Sequence, residues 1–196
     1  MAARRSYHHR DLARAAKARA LELLAAGAGE LTLPAVARSL GVSHAALYRH
    51  FAGRRGLLSA LAQDGYAAFG ELIAKRTAGL EGEALLAAVF TAYLDFAGRH
   101  PGYFRALFHP ELLDKSDLPE LDRVATARFE ALRELLERAG LAPTPEHAAL
   151  VWASVHGLAV LVSDGWLPGR SGLTTAGLRR MPKTMARALM SGLASR

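Results

Sequence analysis

Apolar positions along this chain recur every three or four residues and almost never alternate. Leu12, Ala16, Ala20, Leu23 and Leu24 keep that spacing, which predicts a first helix over residues 8–26, closed by Gly27-Ala28-Gly29. Thr32 is a good N-cap and Pro34 is tolerated in a first turn, so a short helix follows over 33–40, burying Val36, Ala37 and Leu40. Gly41 accepts the left-handed backbone of a tight turn, and Ser43 caps a third helix reaching Phe51. Helical spacing continues over 54–76, 83–99, 121–139 and 174–193, with a short aromatic helix over 103–108 and an apolar one over 146–162. Residues 109–119 read as a loop rich in acids and proline. No strand pattern and no repeat occurs. The expected fold class is all-α, with about nine helices.

Composition narrows the picture. Val, Ile and Thr are sparse beside Ala, Leu, Arg and Glu, which favours helix throughout. Without cysteine, no disulfide framework and no thiolate metal site can form. No apolar run follows the basic N-terminus MAARRSYHHR. The longest apolar run, 148–162, contains Ser154 and His156 and falls short of the roughly 20 residues of a membrane span. A soluble, cytoplasmic protein with no membrane partner is the expectation.

Charge is more informative by position than by total. The first 58 residues hold ten basic side chains against three acidic ones, so they carry the whole formal charge of +7 and the remainder is neutral. A basic module ahead of a balanced one points to a polyanion partner for the former.

The stretch GVSHAALYRHF, residues 41–51, says which polyanion. Val42, Leu47 and Phe51 are spaced to anchor inward against Leu12, Ala37 and Leu40. That presents His44-Ala45-Ala46 outward at the start of the helix. Two short helices joined by a glycine turn inside a basic three-helix unit fit a helix-turn-helix. Small alanines let the helix enter a major groove and touch a thymine methyl, and His44 can meet a base edge. Tyr48, His50 and Arg54 are donors placed for phosphates on either side. The implied partner is double-stranded DNA.

The segment LTLPAVARSLGVSHAALYRHFAGRRGLLSAL resembles the DNA-binding domain of the TetR family of transcriptional regulators. YHHRDLARAAKARALELL is similar to the first-helix opening of one branch of that family. AYLDFAGRHPGYFRALF and WASVHGLAVL are similar to that branch's C-terminal domain, named for a Trp-His-Gly signature, here Trp152, His156 and Gly157. The resemblance implies phosphate contacts for Thr32, Ser43, Tyr48 and His50, base reading for His44 and Ala45, and a phosphate grip for Arg54 where the family usually has lysine. Arg10 stands in place of a glycine, where it adds either a phosphate contact or only solvation. Leu47 stands in place of a proline, and Gly53 in place of a better side-chain cap.

The resemblance further implies two domains: a helix-turn-helix DNA-binding domain over residues 1–58 and a helical effector-binding and dimerisation domain over 59–196. Trp152 and His156, four apart, share one helical face, and Ala153 and Gly157 share another where a second helix can approach. Tyr93, Phe104, Trp152 and His156 are the expected ligand contacts, although the helical spacing of Phe90, Tyr93, Phe96, Phe104 and Phe108 fits core better than pocket, and Trp152 and His156 fit a structural role equally well. No cofactor or metal site is expected. Ser154, His156 and Asp164 are the only local candidates for a nucleophile set, and Ser154 and His156, two apart on a helix, point in different directions, so an enzyme is not expected. The expected function is a ligand-responsive, sequence-specific regulator, a homodimeric repressor released from a palindromic operator by a small-molecule effector. The alternatives are an all-helical carrier or sequestering protein without specific DNA binding, and an architectural DNA binder that takes no effector.

Overall fold

The computed structural model describes residues 9–27, 31–167 and 171–193, and His8 and the side chains of His9 and Arg10 lie outside it. Nine α-helices occur among these residues and no strand: α1 His9–Ala26, α2 Leu33–Leu40, α3 His44–Tyr48, α4 Gly53–Thr77, α5 Gly82–Arg99, α6 Pro101–Leu107, α7 Pro119–Arg138, α8 Pro145–Ser163 and α9 Thr175–Leu193. A 3-10 turn, Pro110–Leu112, lies in the expected loop. The described residues group into two compact units, one drawn from positions 1–65 and 100–121, the other from 66–99 and 122–196.

In the first unit α1 packs against α2, α3 and α6, and α2 packs against α3. Its core is Leu12, Ala16, Ala20, Leu33, Val36, Ala37, Leu47 and Phe51, with Leu57, Leu58 and Leu61 from the start of α4. The membership of α6 differs from a boundary drawn at residue 58, and its packing supplies the reason. Gly102 sits so close to α1 that a Cβ there would fall well inside van der Waals contact of the Leu21 carbonyl oxygen. Three residues on, the Arg105 guanidinium donates to the carbonyls of Leu24 and Ala25 at 2.6 and 3.1 Å. Those carbonyls belong to the last turn of α1, which has no basic residue of its own to meet them.

The second unit packs α5 against α8 and α9, and α8 against α9. Leu85, Leu86, Val89, Phe90 and Phe96 of α5 meet a core that includes Val151, Val155, Leu158 and Ala159 of α8. By length and composition α8 is apolar enough to cross a bilayer, beyond what the shorter run 148–162 implied. Its buried stripe, however, is that of a helix packed on one side. At the end of α4, Arg138 of α7 donates to the carbonyls of Thr77 and Leu80, both at 3.1 Å, repeating the device seen on α1.

Two glycines separate the effects of space and of backbone conformation. Gly41 has φ 67° and open space around its missing Cβ, whereas Gly102 has an ordinary helical φ and no space. Gly41→Ala is expected to cost about 1–2 kcal/mol through left-handed strain. Gly102→Ala, which must push α6 off the α1 backbone, is expected to cost about 2–3 kcal/mol. Thermal and urea melts of the two variants check the order, and a Gly102→Ala protein as stable as wild type would remove the close approach as a constraint.

Candidate functional site

The first candidate site is the exposed start of α3. Thr32 Oγ1 accepts from the Ala35 amide at 3.2 Å and Ser43 Oγ from the Ala46 amide at 3.3 Å, so each hydroxyl caps its helix. Gly41 turns the chain between them, its amide bonded to the carbonyls of Ala37 and Arg38. His44, Ala45, Tyr48 and Arg49 are then exposed, Tyr48 at 56%. His50 is half-buried with its ring 6.3 Å from that of Phe51.

Three details differ from expectation. Ala46 turns inward beside Leu47, because a residue three positions after the cap lies over α2. The exposed end is therefore His44-Ala45, with Tyr48 one turn later. Val42 and Leu40 are only half-buried, and α3 ends at Tyr48, with His50 and Phe51 in the turn that follows. Gly53, expected as a weak cap, has φ 74° and donates to the Phe51 carbonyl at 2.8 Å. The left-handed backbone makes glycine the residue suited to that position.

Arg54 stands where expected but is engaged: Nη1 lies 3.0 Å from Glu111 Oε1. Its neighbour Arg55 donates to the main-chain oxygens of Glu111 and Asp114 and, at 2.6 Å, to Asp117 Oδ1. His109 Nδ1 accepts from the Glu111 amide at 3.3 Å, and burial holds that imidazole below its usual pKa, with Glu111 opposing and Arg54 adding. Glu111, Asp117 and Arg55 were missed by sequence reasoning. An acid 62 positions from its arginine carries no local signal.

The second candidate site lies in the second unit. Tyr93 of α5 is buried, and its hydroxyl lies 2.9 Å from His156 Nδ1 and 3.2 Å from Trp152 Nε1, both on α8. Trp152 Nε1–H can only donate, so Tyr93 accepts there. The arrangement that employs the phenol proton has Tyr93 donate to His156 Nδ1, which puts the imidazole proton on Nε2. Phe69 closes edge-on against Tyr93, ring centres 5.3 Å apart, and packs against Phe96. Burial drives the Tyr93 phenol well above its usual pKa; the Trp152 hydrogen bond lowers it and Tyr66 raises it further. Burial also lowers the His156 pKa, so both groups are neutral near pH 7. Of the four expected ligand contacts, three converge here. Phe104 instead is buried in the first unit with its ring 5.3 Å from Phe108.

Tyr93→Phe removes the hydroxyl that Trp152 and His156 both meet and is expected to lower stability by about 1–2 kcal/mol. His156 supplies a pH test. Its folded pKa is depressed, so the unfolded chain takes up the proton more readily. The associated stability is present above about pH 6.5 and is lost as pH falls through the lowered folded value. The melting temperature of wild type is expected to drop more between neutral and mildly acidic buffer than that of His156→Gln. Equal drops would mean that this imidazole protonates as easily folded as unfolded.

Comparison with known proteins agrees with these features. The family profile described as "Tetracyclin repressor-like, C-terminal domain" matches residues 86–193, and that described as "Bacterial regulatory proteins, tetR family" matches 17–61. No match is found among curated proteins. Among solved structures, the chain is similar to a protein of unknown function from Rhodococcus sp. RHA1, at 25% identity and TM-score 0.76 over 97% of this chain and 99% of that one. It is also similar to a tetR-family regulatory protein from Rhodococcus RHA1, at 18% identity and TM-score 0.70 over 93% and 96%. A third is the fatty acid degradation regulator FadR from Bacillus halodurans, at 15% identity and TM-score 0.68 over 94% and 97%. With both parts of the chain matched, the protein belongs to the TetR family of bacterial transcriptional regulators.

Proposed function

We propose that this regulator is a homodimeric repressor that reads a palindromic operator with α3 and leaves it when a small molecule binds the second unit. The observation that carries this reading is the first turn of α3. It is capped by Ser43, anchored by buried Ala46, Leu47 and Phe51, and exposes His44, Ala45 and Tyr48 on one side. His44 and Ala45 face base edges in the major groove, while Thr32, Ser43, Tyr48, His50 and Arg54 face phosphates. Polar side chains that already cap helices orient their hydroxyls and adjacent amides together, which suits a phosphate oxygen.

The dimer surface in this reading is the outer face of α8. Leu150, Ala153 and Leu161 are exposed along it, and nothing lies within 4 Å of the open Cβ position of Gly157. The spacing of these positions makes one stripe, and the small residues in its middle permit close helix approach. The effector site is the Tyr93–Trp152–His156 cluster. Neutral polar groups among Phe69 and Phe96 suit an apolar or weakly polar molecule that carries a hydrogen-bonding group.

Operator selection from a random duplex library tests the reading, and the expected product is an imperfect palindrome with half-sites about one DNA turn apart. His44→Ala is expected to relax preference at one base pair per half-site at a cost of about 1–3 kcal/mol. A loss of affinity spread evenly over all sequences would remove His44 from base reading. Leu161→Glu is expected to give a monomer by light scattering with weakened operator binding. A Leu161→Glu dimer with full affinity would move the two-fold off α8.

A further inference from the structure

The first turn of α4 carries two arginines at an end of the helix that already bears partial positive charge, where anions are favoured and cations are not. Both are met by one acidic segment. The two engagements differ in kind. Arg55 holds the segment mainly through the carbonyl oxygens of Glu111 and Asp114, with Asp117 added. Those carbonyls are built into the chain and have no counterpart in a phosphate. Arg54, in contrast, faces a carboxylate, Glu111 Oε1 at 3.0 Å. A carboxylate and a phosphate offer a guanidinium the same pair of charged oxygen acceptors.

We infer that Glu111 is an intramolecular competitor of the DNA backbone, its carboxylate taking the Arg54 guanidinium that a phosphate takes in the complex. The inference rests on the proposed phosphate-contacting role of Arg54. The fold supports an exchange of partners. The Glu111 main chain is fixed independently of its carboxylate, by the His109 cap on its amide and by Arg55 on its carbonyl. The side chain can therefore swing away while the segment stays. The pair is also partly open to solvent, with Arg54 28% and Glu111 38% exposed, so its attraction is screened and modest. A contact of that strength tunes affinity without blocking binding.

The experiment compares wild type, Glu111→Gln, Arg54→Ala and the double variant, each as the full chain, binding a fluorescent mixed-sequence duplex over a salt series. A phosphate contact acts on any sequence, so no operator is required. Glu111→Gln is expected to bind roughly two- to fivefold more tightly per half-site. Its log–log salt slope is expected to steepen by about one unit per half-site, as one more phosphate is fully neutralised. In the Arg54→Ala background the same substitution is expected to change nothing. Unchanged or weaker binding by Glu111→Gln overturns the inference, as does an equal gain in the Arg54→Ala background, which would mean only a general loss of negative charge. Folded protein that binds no duplex in any form overturns the DNA reading as well. Binding by wild type with no response to Glu111→Gln overturns the inference alone.

Discussion

The carbonyls at the end of α1 set the terms for the first unit. A helix leaves its last carbonyls without the usual intrahelical partners, and α1 ends without a basic residue in its last turn. Arg105 reaches back 81 positions to donate to Leu24, and Gly102 brings α6 near enough for it to do so. Each depends on the other. A larger residue at 102 would hold α6 away, and a lysine at 105 would offer one compact charge instead of a planar fork with several donors. Because α6 is fixed this way, the segment after it arrives beside the start of α4, where Arg54 and Arg55 take up Glu111 and Asp117. The surroundings of the proposed phosphate contact thus follow from a packing event on the far side of α1 in sequence.

Arginines are used the same way in the second unit. Arg138 meets the Thr77 and Leu80 carbonyls, and Arg133 Nε donates to the Pro143 carbonyl at 2.7 Å. A guanidinium can serve two carbonyls at once and is weakly hydrated, so it suits a helix end that is only partly exposed. This use qualifies an argument from net charge. The first 58 residues hold an excess of +7, yet Lys17 is paired with Asp64 at 2.6 Å, and Arg54 and Arg55 are paired with Glu111 and Asp117. All three acids lie beyond residue 58. Some of that excess is therefore offset by acids from later in the chain, and the segment is less basic than its own arithmetic suggests.

The same distinction explains what was legible beforehand. Helices, the caps Thr32 and Ser43 and the Gly41 turn are local features, written within four residues of where they act, and the structure has them. Trp152 and His156 are legible as sharing one face because four residues make about one helical turn. Their meeting at the Tyr93 hydroxyl was not legible, since it joins side chains 59 and 63 positions apart. Phe104 shows the converse. Its aromatic character and family position fit a ligand contact, but helical spacing cannot tell which unit a buried ring serves. Ala46 and Gly53 failed differently: the first depended on the rotation of a five-residue helix, the second on a dihedral angle that composition does not encode.

The anion preference at the start of α4 links these points. A helix N-terminus with two guanidiniums will not remain without an anion, and the chain supplies one from the segment that α6 positions. Were that pair deeply buried, removing the carboxylate would strand a charge, and no external phosphate could compete. Here both partners keep part of their surface in water, so either anion can satisfy the arginine at similar cost. The residues flanking the pair are arranged to permit this. His109 is held neutral by burial and caps through an uncharged nitrogen, so it adds no third cation to the cluster near pH 7. Arg55, tied to main-chain carbonyls, keeps the segment in place whichever anion Arg54 holds. A surface of this kind fixes its backbone through one arginine and leaves the other exchangeable, so the anion on Arg54 can change while the fold around it stays constant.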